Sequence, residues 1–504
     1  MRSARKFLPF VYPLVFIALA IYRLVVVNSD VLFQAQEQSF WQPGSQFFGA
    51  MLKEPGGIFS WVGCYLTQFF FHPALGASIL IALWVVIYAA LYKAMRLPWY
   101  LGWIALIPSS LLLWSETALG YAIYVLVVPD YWFTPTLFIL AMSLLAWLGA
   151  MLPKYFRIGW LLVVLVATIV MAQPWVDATL MPKSVFRPFH SMAGDDNYRR
   201  EMRMYHAAEE GRWAEVINEY SHSEQNPTRA MWMLKNVAMS YRDRLDQDWL
   251  KYNNATQPPV ATDSIMPPLS SNLAPLLYYL HGCIGFSYRW SMENNVEYGI
   301  SYQRLRIMTR CALAKGEFEL ADKYLTQLER TAFHGKWASE QRKYIENPQL
   351  MSEVSLYSRP IALSKCFDDK LDGDNGDIEE YLTRLFAQYK GEQTEDMSQL
   401  CMMYAIQSRD IATFWSQFSI YAASHMGKPM PKLYQEVACL YGQLNRSIYD
   451  PSHLPFSEDV LNSCYRFLSQ YVSLTNSATP PAKVAQSTRR EFGHTAYWFY
   501  YFNQ

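Results

Sequence analysis

The sequence lacks nearly every short signature that announces a reaction. Its seven cysteines (Cys64, Cys283, Cys311, Cys366, Cys401, Cys439, Cys464) never approach a C-x-x-C spacing, so the usual sign of metal or thioredoxin-like redox chemistry is missing. Nine histidines include no H-E-x-x-H and no pair at ligand spacing. No G-x-x-x-x-G-K-[ST] loop is there to cradle phosphate, no G-x-G-x-x-G follows a strand, and no G-x-S-x-G elbow is present. These absences argue against a soluble hydrolase, a nucleotide-driven enzyme and a zinc enzyme, and no cofactor or metal is expected. The acidic stretch Asp368–Asp377 invites a calcium reading, but aligning Gly376 to the loop glycine puts Leu371 and Gly373 where oxygen ligands belong. A solvated linker feeding a helix Ile378–Tyr389 explains it instead. Net charge is lacking too. The 43 basic side chains balance 43 acidic ones with no basic stripe, which argues against a nucleic-acid partner.

What the chain does have is apolar length, gathered in its first third. Runs at Phe7–Val27, Pro73–Tyr92, Leu97–Trp114, Tyr131–Leu152 and Ile158–Trp175 are each close to the roughly 20 residues that cross a bilayer as helix. The first follows Arg2, Arg5 and Lys6, is too long for a signal peptide and has no small-residue cleavage site after it, so it reads as a retained span. Cations gather at Arg2/Arg5/Lys6, Lys93/Arg96 and Lys154/Arg157, and the other junctions are acidic apart from Lys53. The positive-inside rule then predicts five spans, the N-terminus in the cytoplasm and everything after Asp177 outside it. Two shorter apolar pieces, Gly57–Phe71 and Thr117–Val128, read as interfacial or re-entrant helices. The predicted domains are 1–176, transmembrane, and 177–504, helical and extracytoplasmic, with loops near 246–272, 366–377 and 476–486.

After Asp177 charge is frequent and helical periodicity takes over, while strand signals are nearly absent. The expected fold class is therefore all-α. Gly211-Arg-Trp213-Ala-Glu-Val216 with Tyr220 and Gly316-Glu-Phe318-Glu-Leu-Ala321 with Leu325 share one spacing, and Arg409, Ile411, Phe414 and Phe418 repeat it without the glycine. Glycine permits a tight turn, after which the large and small residues fall on one face of the next helix. This resembles the tetratricopeptide repeat, whose stacked helix pairs bury faces that no single pair could bury. The cysteines at 311, 401, 439 and 464 lie inside such apolar helical patterns and read as small core residues. Outside the cytoplasm a disulfide among the six after Ile158 stays open.

Three stretches carry a wider likeness: Pro55-Gly56-Gly57 with Leu66-Thr67-Gln68-Phe69-Phe70, then Lys432-Leu433-Tyr434-Gln435-Glu436-Val437, then Phe492-Gly493-His494-Thr495-Ala496-Tyr497-Trp498-Phe499-Tyr500-Tyr501-Phe502. On these the chain resembles a family of uncharacterised multi-pass proteins of the bacterial inner membrane with a tetratricopeptide-like C-terminal region. That resemblance implies an architecture and no activity.

The expected function is a membrane-anchored helical-repeat scaffold whose periplasmic surface binds a protein partner in the cell envelope, the lipid bilayer being its other partner. A second expectation comes from Asp30 and Glu37, which follow the first span on its outer side. That layout resembles membrane glycosyltransferases that use a polyprenyl-linked sugar, where an acidic residue of the first external loop acts as base or metal ligand. Asp30 and Glu37 would be the catalytic pair of that reading. No Asp-Asp or Asp-Glu pair follows the span, and five spans are few for those enzymes. A transporter is disfavoured, because the apolar runs hold almost no ionisable residue.

Overall fold

The computed structural model describes residues 4–53, 56–117, 132–179, 196–223, 227–252, 254, 268–365, 378, 382, 385–386, 395–445 and 456–502. Among these residues the fold is all helix with no strand. The acidic stretch 368–377, the Pro-rich residues 257–267, most of 378–389 and all of 117–128 after Thr117 lie outside the described residues. The chain forms two compact units, residues 1–202 with 288–351 and residues 203–287 with 352–504. Residues 288–351 thus fold with the N-terminal part, a grouping that a boundary at 176/177 does not contain.

In the first unit, helix Ala4–Ile21 widens into a π-helical turn, Tyr22–Val27, and breaks at Asn28. The Asn28 side chain donates to the Arg23 carbonyl at 2.7 Å, satisfying an oxygen that the widened turn releases. The chain restarts as helix Ser29–Gln38, bent by 70° from the segment before it. Helix Pro73–Met95 opens with proline at its first turn, where no donor is lost, and closes at Arg96 in the left-handed region (φ +49°). It packs on Thr134–Leu148, where the Trp84 indole donates to Thr136 Oγ1 at 3.0 Å.

The expectation of five spans is corrected here. Among the described residues, two helices are long and apolar enough to cross a membrane, Pro73–Met95 and Thr134–Met151, or three if Val11–Val27 and Ser29–Gln38 count as one bent span. The run Leu97–Trp114 is broken into a 3₁₀ segment, Trp99–Leu106, and a helix, Ile107–Thr117. Pro108 explains the break, because it lacks the N–H that an α-helix would send to the Ile104 carbonyl, which instead accepts from Ile107. The run Ile158–Trp175 lies on the 26-residue helix Lys154–Thr179, whose described apolar part is Tyr155–Met171. Gly57–Phe71 forms a short helix, Ile58–Thr67, with a 3₁₀ turn, Gln68–Phe71, and its aromatics meet Trp41, which lies 4.9 Å from Tyr65 and 5.7 Å from Trp61.

The same unit contains three successive helices, Tyr302–Lys315, Phe318–Glu329 and Gly335–Glu346. Ser301 caps the first by accepting from Arg304 N–H at 3.3 Å. Arg342 ties the other two together, bonding Asp322 and Glu329. Their core holds Leu305, Leu325, Leu328 and Ala338, and Phe40 from the N-terminal segment inserts among them.

The described residues of the second unit are helices and their connections. Glu395–Ser408 packs on Ile411–Ser424, and Lys432–Leu444 packs on both Glu458–Asn476 and the terminal helix Ala496–Phe502. Helix Leu245–Asp248 falls where a loop was expected, and Pro481–Phe492 begins inside the expected loop 476–486, just after a left-handed Ala478 (φ +54°). The aromatic tail is folded inward: Phe499 sits 4.9 Å from Trp249, and Tyr497 sits 5.3 Å from Phe467. A run of six aromatics would otherwise be a large exposed apolar patch.

Candidate functional site

Five consecutive residues ending the bent helix, Gln34-Ala35-Gln36-Glu37-Gln38, are all buried. A polar run can be buried only if other groups supply its hydrogen bonds. Helix Tyr302–Lys315 supplies them, since Gln303, Arg304 and Arg306 are buried on its side of the joint. Arg304 Nη1 donates to Gln38 Oε1 at 2.8 Å, and its remaining nitrogens donate to Asn295 Oδ1 and the Gly299 carbonyl. Gln34 and Gln38 both donate to Gln303 Oε1, at 3.0 and 2.5 Å. Arg306 Nη2 donates to Glu37 Oε2.

His334 closes the site. Arg306 Nη1 lies 3.2 Å from its Nδ1, and the Gln36 amide lies 2.6 Å from its Nε2. A guanidinium can only donate, so Nδ1 accepts and the single proton of a neutral ring sits on Nε2. The Gln36 amide then meets that N–H with its oxygen, because either end of an amide can be turned to a partner. Glu37 Oε1 is 3.8 Å from the same Nε2. Tyr302 lies against the imidazole with ring centres 4.3 Å apart. Its hydroxyl donates to the Trp41 carbonyl and accepts from the Trp41 N–H, both at 2.9 Å. Burial pushes the Tyr302 phenol well above its ordinary range, so it stays a neutral donor. Phe71 stacks on Phe333 at 5.2 Å with the ring planes 6° apart, which brings the 3₁₀ turn before helix Pro73–Met95 to the same place.

The two acidic candidates therefore have different surroundings. Glu37 is fully enclosed and ion-paired, whereas Asp30 is half-buried in the first turn of Ser29–Gln38. Among the described residues, no group of three or more His, Cys, Asp or Glu is placed to hold a metal.

The repeat residues lie at helix turns. Gly211 and Gly316 are left-handed (φ +74° and +75°), and Arg409 takes the same conformation in the copy without glycine (φ +60°). The three turns close alike: Arg212 N–H to the Ala207 carbonyl, Glu317 to Ala312 and Asp410 to Ala405, at 2.7, 2.8 and 2.9 Å. Val216, Ala321 and Trp213 are buried, the last with its ring tilted against Tyr241 at 4.2 Å, while Phe318 is only half-buried. Gly282 (φ +80°) makes a further such turn, with Cys283 N–H to the Tyr278 carbonyl at 2.8 Å, and its spacing escapes the sequence pattern. Sequence reasoning also missed Gln303, Arg304, Arg306 and His334. Arginines spaced two apart beside the apolar positions Leu305, Ile307 and Met308 were the available signal.

A profile of one family matches residues 3–176 and, in a second overlapping match, residues 120–504. The chain belongs to a family of unknown function, DUF6057. No curated protein matches it, and no solved structure does. Membership of DUF6057 carries no activity with it, so the chemistry of the family has to be argued from sites such as the Glu37 network.

Proposed function

We propose that the protein is a membrane-anchored helical scaffold of the bacterial inner membrane, with its helix pairs on the periplasmic side binding a protein of the cell envelope. The observation that carries this reading is the enclosure of Glu37 by Arg306 and His334. A carboxylate that is to take a proton from a substrate needs an open face. Glu37 has none, and each of its charged or polar neighbours serves to hold two parts of the chain together. Buried ionic networks of this kind specify one arrangement of their elements more than they add stability. That suits a rigid support for a binding surface. The tetratricopeptide-like character of the hairpins is part of the same proposal, supported by the three equivalent turns at Gly211, Gly316 and Arg409.

A transferase acting on a lipid-linked sugar would be left with Asp30, which is only half-buried. Asp30→Asn therefore separates the two. Expressed at normal abundance in a strain lacking the gene, the variant is expected to complement fully. Loss of complementation at unchanged protein level would refute the scaffold and favour the transferase.

A further inference from the structure

In the second unit a groove of about 500 Å³ runs between the turn at Asp246–Lys251 and the start of helix Lys432–Leu444. Leu250, Pro429, Met430 and Leu433 give it an apolar wall, and Asp246, Gln247 and His494 line it as well. Glu436 also lines it and is only 1% exposed. One oxygen of Glu436 is occupied, Oε2 accepting from the Ala496 N–H at 2.9 Å. Its Oε1 is buried and makes no hydrogen bond to a described residue. The cation facing it is Lys432 Nζ, 3.6 Å away, on a side chain that is 74% exposed.

That lysine is a weak seal. It precedes the glutamate by one turn, and lysine before glutamate is the less favourable order for such a helical pair. Its ammonium is well solvated and its stem flexible, so holding it over the carboxylate costs side-chain freedom. Lys251 does not compete for the place, because it bonds Asp248 at 2.5 Å. Burial holds the Glu436 carboxyl above its ordinary range, and the Ala496 N–H and the Lys432 ammonium offset that only in part. Lys432 thus marks where another ammonium would sit, beside apolar walls that a hydrophobic side chain would cover.

We propose that this groove binds the free amino end of a peptide with an apolar first residue, its α-ammonium replacing Lys432 on Glu436 Oε1. The inference rests on the protein-binding reading above and names the chemistry recognised. Its test uses the full-length protein in detergent and three probes: Leu-Ala-Ala amide, the same peptide N-acetylated, and Nα-acetyl-lysine amide. The free peptide is expected to bind at least tenfold tighter than either of the others. Lys432→Ala, a change at an exposed position, is expected to tighten it further by removing the rival cation. Equal binding of the acetylated peptide, equal binding of the lysine probe, or no binding of any probe would each overturn the proposal. The scaffold reading is judged separately by Asp30→Asn complementation, which does not involve the groove.

Discussion

Glu37 and Arg306 are 269 positions apart in the sequence, yet the guanidinium donates to the carboxylate inside a site that water barely reaches. One partner comes from the segment that follows the first apolar helix, the other from a helix pair that reads as water-soluble. Neither charge would be tolerable in that place without the other. The pair is therefore a sensitive probe of whether the joint forms.

Removing one side should be costly. Arg306→Ala strands a buried carboxylate and is expected to destabilise the protein by about 3–5 kcal/mol. Combining Glu37→Gln with Arg306→Met removes both charges and should recover much of that loss. Thermal melts of the full chain in detergent read both. Equal destabilisation by the single and the double change would mean that the ion pair is not what holds the site.

Two glycines with similar backbones should respond differently to alanine. Gly316 and Gly282 are both left-handed, but a Cβ at Gly316 meets nothing within 4 Å. At Gly282 it would lie 2.6 Å from Leu363 Cβ and 2.7 Å from the Ser364 nitrogen. Gly316→Ala is expected to cost only the conformational strain, about 1–2 kcal/mol. Gly282→Ala should add an overpacking cost of about 1–3 kcal/mol to that. Melting both variants side by side checks the order.

Acid should weaken the second unit through His281. Its Nδ1–H donates to the Leu277 carbonyl at 2.7 Å and its Nε2 accepts from the Tyr404 hydroxyl at 2.6 Å. Burial lowers the ring's pKa from 6.5 to about 4. The unfolded chain therefore takes up a proton near pH 6.5, while the folded one resists until about pH 4. The stability owed to this difference is present above pH 6.5, falls as the pH drops, and is gone below about pH 4, a loss of roughly 3 kcal/mol. His281→Gln should flatten that slope between pH 7 and 4 in denaturant titrations. A variant as steep as the parent would assign the slope to other groups.

Topology is open to a direct reading. Alkaline phosphatase fused after Asp177 is expected to be active, and after Arg96 inactive, because the cations at Lys93 and Arg96 favour the cytoplasm. The reverse pattern would turn the whole chain over and place the helix pairs in the cytoplasm.

The helical class was legible in the residues, and so were the turns at Gly211 and Gly316. Both follow from local spacing: periodicity decides which side of a helix is apolar, and a glycine before an aromatic–small pair decides where it reverses. Pro73–Met95 and Thr134–Met151 were legible for the same reason, since apolar length is a local property. The number of spans was not. An apolar run does not reveal that one helix bends by 70° at Asn28, nor that another changes from 3₁₀ to α-helix just before Pro108. The site was least legible of all. Gln34 to Gln38 reads as a polar segment for water, because composition alone leaves such residues exposed. It is buried only because Gln303, Arg304, Arg306 and His334 come from some 265 to 300 positions away to meet it. A buried charge requires a partner, and in this chain only the tertiary structure decided which partner that was.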